Sequence, residues 1–237
     1  MEFRDYLWGV LPVFAIELLA ALAGTYYLTQ KYPAKNSRYL VLFLWGVFIV
    51  EILSAYAPIA HFSDYKYFSF VECTKFGQNY WLFNIVIIVS FVFYIYYFRS
   101  FLDGILWRKI LKYTGFSYVI LCITNLFFFD VFFNEYSQFN TILGTLLLIL
   151  TIAIFYFELL KSDVLLKMKY FLPLYISVGT LIFHLCILPI DIYSKYILER
   201  NPFFLQLKTN VYLFGNIFLY STYILGFIKC SRKKKSY

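Results

Sequence analysis

The sequence predicts an all-α fold, a polytopic membrane protein built as a bundle of seven transmembrane helices. The first observation is composition: 62% of the 237 residues are hydrophobic, 14% are charged, and the mean hydropathy is +0.71. A soluble domain is about half apolar and about a quarter charged. The second observation is that apolar stretches recur at about 20 residues, the length that crosses the hydrocarbon core.

The bounds of the first three segments are set by the polar stretches between them. The polar stretch "TQKYPAKNSR" ends the first segment and precedes the second. A polar connection at 61–78 separates the second from the third, which ends before Arg99. The expected spans are 6–28, 39–60 and 79–98.

The last four segments are bounded in the same way. The stretch "FNEYSQFN" separates the fourth from the fifth, and the basic connection that begins at Lys161 precedes the sixth. The seventh ends at Lys229. The expected spans are 114–134, 139–160, 170–190 and 210–229, and none of the seven predicted spans contains Lys or Arg before that last residue.

The distribution of Lys and Arg predicts the orientation. Of the 21 such residues, 15 lie in alternate connections and the C-terminal tail, on one side of the membrane. The six on the other side are Arg4, Lys66, Lys75, Lys195, Arg200 and Lys208. Because cytoplasmic loops carry the excess of positive charge, we expect the N-terminus outside and the C-terminus inside.

The chain is expected to form one seven-helix transmembrane domain, 1–229, followed by a short basic cytoplasmic tail, 230–237. Its connections are too short to hold a soluble domain. We expect a multi-pass protein of the bacterial inner membrane, with the lipid bilayer as its partner. The net charge of +8 is then explained by this asymmetry of Lys and Arg and does not indicate nucleic acid.

Glu17 and Glu51 interrupt the first two apolar segments, in "VFAIELLAAL" and "VFIVEILSAY". Both lie near the middle of their segments, where an ionisable side chain costs about 2.5–3.5 kcal/mol and marks a functional site. Small residues share their helix faces, which predicts that both face the bundle interior. Because no Lys or Arg lies at their depth, at least one is expected to be protonated. Two neutral carboxyls bonded to each other or to Ser54 would also satisfy this chemistry without any function.

Three further polar residues complete the predicted ligand-binding site. His184 lies in the sixth segment, Asn84 in the third and Asn216 in the seventh, all toward the outer leaflet. We expect Glu17 and Glu51 to form the floor of an outward-facing pocket and these three to line its walls. Instead of lining a pocket, each Asn could form a hydrogen bond between helices. Glu158 is different: it precedes Lys161 by three residues near a helix end, and an interfacial ion pair is expected there.

Several classes of protein are excluded by missing residues. The seventh segment has no Lys between 210 and 228, so retinal cannot be attached. Only His61 and His184 are present, too few for the His cluster of membrane metal hydrolases. No G-x-S-x-G nucleophile motif occurs. The sequence therefore predicts a protein that is not an enzyme and has no metal or other cofactor.

The segments "NYWLFNIVIIVSFVFYIYYF" and "NVYLFGNIFLYSTYILGFI", with the two glutamates, resemble small, largely uncharacterised seven-helix bacterial membrane proteins. Their layout is similar to the seven-helix membrane input regions of sensor kinases. The resemblance implies a sensor or receptor-like protein that binds a small or lipidic ligand from the outer side. Only "CSRKKKSY" follows the last segment, so a separate cytoplasmic signalling partner, or a homo-oligomer, would carry the signal.

Two alternatives stay open at this stage. The first is a channel or a proton- or cation-linked carrier that uses the buried glutamates. The apolar inner halves of the third, fifth and seventh segments favour the sensor over this alternative. The second is a membrane effector or accessory subunit of a bacterial defence or secretion system.

The predicted orientation can be tested with reporters fused after Tyr237. An odd number of spans and an outside N-terminus place this residue in the cytoplasm, so a cytoplasmically active reporter should work there. A reporter active only outside the cytoplasm, fused at the same point, should stay silent. The opposite pair of results would place the C-terminus outside the cytoplasm and would contradict the predicted orientation.

Overall fold

Helices make up most of the described chain, as expected of apolar segments that must satisfy their own backbone hydrogen bonds in hydrocarbon. The computed structural model describes residues 3–30, 33–34, 36–162, 169–194 and 201–231, and these residues contain no strand. The α-helices are α1 (Phe3–Leu28), α2 (Ser37–Ser54), α3 (Tyr56–Phe62), α4 (Tyr80–Arg99), α5 (Ile105–Phe128), α6 (Gln138–Leu160), α7 (Leu172–Ser194) and α8 (Pro202–Ser231). A short 3₁₀ turn, Ser69–Val71, lies between α3 and α4.

Seven stretches of these helices are long and apolar enough to cross a membrane, which confirms the all-α, seven-span prediction. Helices α2 and α3 together form the second span, Ser37–Phe62, and each other helix supplies one. We call the end of the bundle where α1 begins the N-face, and the opposite end, where α8 finishes, the C-face. Connections 63–79 and 129–137 belong to the N-face.

The fourth span begins earlier than the sequence predicted. Helix α5 covers Ile105–Phe128, whereas the predicted segment was 114–134. Arg108, Lys109 and Lys112 therefore lie on its first turns and not in a connection. Long basic side chains can keep their charge in the interface while their stems cover apolar surface, so they do not end a helix at the membrane boundary.

The seventh span is longer than predicted at both ends. Helix α8 covers Pro202–Ser231, so Lys208 and Lys229 are helical. Asn201 caps its start, because its side-chain oxygen accepts hydrogen bonds from the backbone N–H groups of Phe203 and Phe204. Of the predicted tail 230–237, the first two residues belong to α8, and 232–237 lie outside the described residues.

A break at Ala55 divides the second span, and Pro58 explains it. Pro58 has no N–H, so the carbonyl of Ser54, four residues earlier, lacks its helical partner. The side-chain amide of Asn79 donates to that carbonyl at 2.6 Å. Asn79, the last residue before α4, therefore satisfies the carbonyl that the kink leaves without a helical partner.

The helices pack as an incompletely closed ring. Helix α1 packs against α2 and α8, α8 against α7, α7 against α6, and α6 against α4 and α5. Helices α2 and α4 touch much less. Near the C-face their contact is a stack of Phe43 on Phe93, with ring centroids 4.0 Å apart. Near the N-face, Trp81 of α4 donates instead to the hydroxyl of Tyr56, the first residue of α3.

Gly24 shows how tightly α1 is held in this ring. A Cβ placed on Gly24 would lie 2.8 Å from Val41 of α2 and 3.1 Å from Phe227 of α8. Only a residue without a side chain lets the three helices approach this closely. The tight contact fixes the part of α1 that lies two turns from Glu17 toward the C-face.

Glu158 of α6 holds the start of α5 at the C-face. Its carboxylate accepts hydrogen bonds from the backbone N–H groups of Asp103, at 2.7 Å, and of Gly104, at 3.2 Å. The predicted ion pair with Lys161 is wrong, because the Lys161 amine lies 3.9 Å from the ring centroid of Phe157 instead. Helix N-termini leave N–H groups unpaired, and a carboxylate satisfies them particularly well.

Removing this carboxylate should loosen the α5 start. We expect Glu158→Ala to lower stability by on the order of 1–2 kcal/mol, because two backbone N–H groups lose a charged acceptor. Gly104→Ala should reproduce the effect, since its Cβ would collide with the same carboxylate. Thermal denaturation of the purified protein in detergent measures both.

Gly46→Ala is the matched control for this test. A Cβ at Gly46 meets nothing within 4 Å, so the denaturation midpoint should stay unchanged or rise. If Glu158→Ala were as stable as the wild-type protein, the contact between α6 and the start of α5 would contribute nothing to stability.

Candidate functional site

Glu17 lies in the middle of α1, on the face that packs against the bundle. It is the fifteenth of 26 residues in the helix, and only 4% of its surface is exposed. The Tyr220 hydroxyl of α8 donates a hydrogen bond to its carboxyl group. Its Oε2 atom is buried and has no hydrogen-bond partner among the described residues. One carboxylate oxygen is therefore available for a further donor.

Glu51 of α2 lies beside it. The two carboxyls are close enough to interact electrostatically. The Ser54 hydroxyl donates to the backbone carbonyl of Glu51 at 2.8 Å and also acts on its carboxyl. Glu51 is half-buried, whereas Glu17 is fully enclosed. Within the described residues, no lysine or arginine acts on either carboxyl. The structure thus brings together the two residues expected at the floor of the site; we call them the carboxyl pair.

A chain of hydroxyls extends from the pair toward the C-face. Thr180 of α7 lies 2.6 Å from the hydroxyl of Tyr223 of α8, and Tyr223 donates to Tyr94 of α4 at 3.0 Å. Tyr94 in turn interacts electrostatically with Glu17. The inner half of the bundle is therefore less apolar than its sequence suggested, because these tyrosines direct their hydroxyls inward.

Three tyrosines lie between the carboxyl pair and the N-face. Tyr6 of α1 and Tyr136 of the connection 129–137 both interact electrostatically with Glu51. Tyr80 of α4 packs edge-on against Tyr136, with ring centroids 4.7 Å apart. We call Tyr6, Tyr80 and Tyr136 the N-face tyrosines. They place aromatic surface on the approach to the pair from that face.

Asn84 is completely buried, and its side-chain hydrogen bonds are made with the connection 129–137. Its amide nitrogen donates to the backbone carbonyls of Phe132, at 3.2 Å, and Glu135, at 3.0 Å. Its oxygen accepts from the N–H of Ser137 at 2.9 Å. Since Ser137 directly follows Tyr136, Asn84 positions one of the N-face tyrosines and has no group left to line a pocket.

His184 and Asn216 are not brought to the carboxyl pair. His184 of α7 is half-buried between the rings of Phe91 and Phe183, with centroid distances of 5.2 Å and 5.1 Å. Asn216 donates to the backbone carbonyl of Tyr212, within its own helix. Asn216 lies one turn before Tyr220 and so shares the α8 face that reaches Glu17.

Tyr220 is the residue of the site that the sequence prediction left out. Its spacing of four residues from Asn216 was a usable signal, since both then lie on one face of α8. Tyr94 and Tyr223 had no such signal, because the chain contains 24 tyrosines and nothing in their local pattern sets these two apart.

Comparisons with known proteins give no indication of function, so a function can be argued only from the geometry of the site. No family model, curated protein or solved structure matches the chain. In the part of the chain that the structure describes, no group of three or more His, Cys, Asp or Glu residues could hold a metal ion. What the fold and the site define is a class: a seven-helix, multi-span membrane protein with two neighbouring carboxyls in its interior.

The anchoring role of Asn84 predicts a stability effect. Asn84→Ala leaves the buried N–H of Ser137 and two carbonyls unpaired, which should cost about 1–3 kcal/mol. Asn134→Ala is the control in the same connection, because Asn134 makes its hydrogen bonds to Asp130 at the exposed surface. Thermal denaturation in detergent compares the two. Equal midpoints would contradict the anchoring role.

Proposed function

We propose that the protein is a receptor-like sensor of the bacterial inner membrane, which binds a small or lipidic ligand at the carboxyl pair. The observation that carries the proposal is the buried, unpartnered Oε2 of Glu17 beside Glu51. An unsatisfied polar atom in hydrocarbon costs several kcal/mol, so a site that keeps one is suited to a ligand that supplies the donor.

The orientation proposed for the sensor puts the N-face outside and the C-face in the cytoplasm. Described basic residues support it: Arg38, Arg99, Arg108, Lys109, Lys112, Lys161, Lys169 and Lys229 all lie at or near the C-face ends of helices. The excess of such residues on one face is the pattern that cytoplasmic surfaces show.

Access to the carboxyl pair is supported by the few contacts between α2 and α4, and the N-face tyrosines near Glu51 place this access toward the N-face. Near the C-face, Phe43 of α2 stacks on Phe93 of α4, and near the N-face Trp81 of α4 donates to Tyr56 of α3. Helices α2 and α4 make few contacts in all. Glu51 lies on α2, between Phe43 and Tyr56 in the chain, and is half-buried. A ligand that enters between α2 and α4 would reach Glu51 first and Glu17 next.

Transmission to the cytoplasm would run through α8. Tyr220 contacts Glu17 directly, and α8 continues to Ser231, eleven residues or about 16 Å further along the helix axis. A ligand that donates to the free oxygen of Glu17 changes the carboxyl group that Tyr220 contacts, and so favours one position of α8 over another. The basic residues after Ser231 would then present that change to a separate cytoplasmic partner.

A proton- or cation-linked carrier is the second candidate, and one observation favours it. The hydroxyls of Tyr94, Tyr223 and Thr180 continue the polar groups from Glu17 toward the C-face. A carrier needs access to its site from both faces in turn, whereas the sensor needs access from one face only.

Cysteine accessibility separates the two candidates. Glu51→Cys is made in a protein whose four native cysteines are replaced by serine, and is treated with a membrane-impermeant thiol reagent. In right-side-out vesicles we expect labelling at position 51. Ile52→Cys, the matched control, points to lipid with 51% of Ile52 exposed, and should not react because thiolates do not form in hydrocarbon.

Three other labelling results would contradict the sensor proposal or favour the carrier. Labelling only in inside-out vesicles would contradict access from the outside. Labelling from both faces would favour the carrier. No labelling from either face would mean that the carboxyl pair is closed to water and would contradict both candidates.

A further inference from the structure

We infer that the ligand of the carboxyl pair is a small primary alkylammonium ion, held by Glu17 and Glu51 with its carbon chain directed toward the N-face tyrosines. This inference rests on the proposed function, because it names the ligand of the same site. It is an inference about chemical class: a protonated primary amine with a short apolar substituent.

Glu17 has one hydroxyl donor, Tyr220, and a second oxygen without a partner among the described residues. The Tyr94 hydroxyl, which accepts from Tyr223, lies close enough to interact electrostatically with the same carboxyl. Donors that point at a carboxyl stabilise its ionised form. An ionised carboxylate in this interior needs a cation close to it, since unpaired buried charge is very costly.

The protein does not supply that cation from its described residues. Asp191 gives the comparison within the same bundle. It is 7% exposed, accepts a hydrogen bond from Tyr212 at 2.6 Å, and has Lys208 as an electrostatic partner. Glu17 and Glu51 have hydroxyl donors but no such lysine. A ligand would supply the positive charge that the site lacks.

A primary ammonium group matches the acceptors that remain. It has three N–H donors and no acceptor. The unpartnered Oε2 of Glu17 and the carboxylate of half-buried Glu51 are acceptors on neighbouring helices. A quaternary ammonium has the charge without the donors, and a neutral alcohol has a donor without the charge. Both should therefore bind less well than the primary amine.

The N-face tyrosines favour an organic cation over an inorganic one. Cations are attracted to aromatic faces, and an alkyl chain also gains from burying apolar surface against them. Tyr6 and Tyr136 both interact with Glu51, so they lie on the path to the pair. Sodium or potassium would have to exchange a full shell of water for two carboxylates and few other oxygen atoms.

The test is thermal denaturation of the purified full chain in detergent, with n-butylammonium chloride as the probe. Binding to the folded state raises the denaturation midpoint in a saturable way. We expect such a rise with n-butylammonium. At equal concentration and ionic strength, sodium chloride, tetramethylammonium chloride and n-butanol should give a smaller rise or none.

Substitutions assign the effect to the site. Glu17→Gln keeps the hydrogen bond with Tyr220 and the shape of the side chain, so the protein should fold. We expect it to weaken n-butylammonium binding by about tenfold or more, which corresponds to about 1.4 kcal/mol. Asp191→Asn is the matched control, a buried carboxyl away from the pair, and should bind n-butylammonium as the wild-type protein does.

A second pair of variants tests the aromatic part independently of the carboxyls. Tyr136→Leu should weaken binding, whereas Tyr136→Phe should retain it, because the aromatic face remains. Tyr113→Leu, which removes an exposed tyrosine near the C-face, should change nothing. A loss that Tyr136→Phe shares with Tyr136→Leu would overturn the aromatic contact.

The following results would overturn the inference. One is an equal rise with sodium chloride, which would indicate a general counter-ion. Another is an n-butylammonium response that survives in Glu17→Gln. A third is no response in a protein whose Glu51→Cys variant is labelled from outside. In that third case the sensor proposal stands and only the ligand class fails; without outside labelling, the sensor proposal itself fails.

Discussion

The absence of water from the membrane interior is the constraint on which the other features of this structure depend. Each polar group there must find its partner within the protein. The hydroxyls of Thr25 and Thr151 donate to carbonyls of their own helices. Asn79 takes the carbonyl that Pro58 leaves free. Among the described residues, five buried side-chain atoms lack a hydrogen-bond partner: Glu17 Oε2, Asn79 Oδ1, Tyr97 Oη, Asn140 Nδ2 and Asp191 Oδ2. The site is placed at Glu17 because a second carboxyl, Glu51, lies close to it and no lysine or arginine acts on either.

The sequence was sufficient to predict the fold and the position of the carboxyl pair, for simple geometric reasons. Consecutive spans run in opposite directions, so residues near the middle of each come to the same depth. It was not sufficient to predict the role of Asn84. Its partners are backbone atoms about fifty residues away, and a backbone carbonyl carries no sequence signal. The start of α5 was misplaced because charge alone does not stop a helix whose lysines can reach the interface.

The buried and interfacial polar residues have two different roles: some fix connections, and others are available to a ligand. Asn84 and Glu158 fix connections at opposite faces, one through the stretch that carries Tyr136 and the other through the start of α5. Neither leaves a group for a ligand. The carboxyl pair lies between these fixed ends, on α1 and on α2, and α2 makes few contacts with α4. Fixed connections at both faces and few contacts between α2 and α4 allow a local change at the pair without loss of the fold.

The hydroxyls of Thr180, Tyr223 and Tyr94 have a direction as well as a position. Tyr223 has one proton and gives it to Tyr94, so the 2.6 Å contact between Tyr223 and Thr180 requires the proton of Thr180. Thr180 then cannot also donate fully to the carbonyl of Ile176, 2.7 Å away. One series of hydroxyls thereby connects α7, α8 and α4, and it ends at Tyr94, which interacts electrostatically with Glu17 of α1.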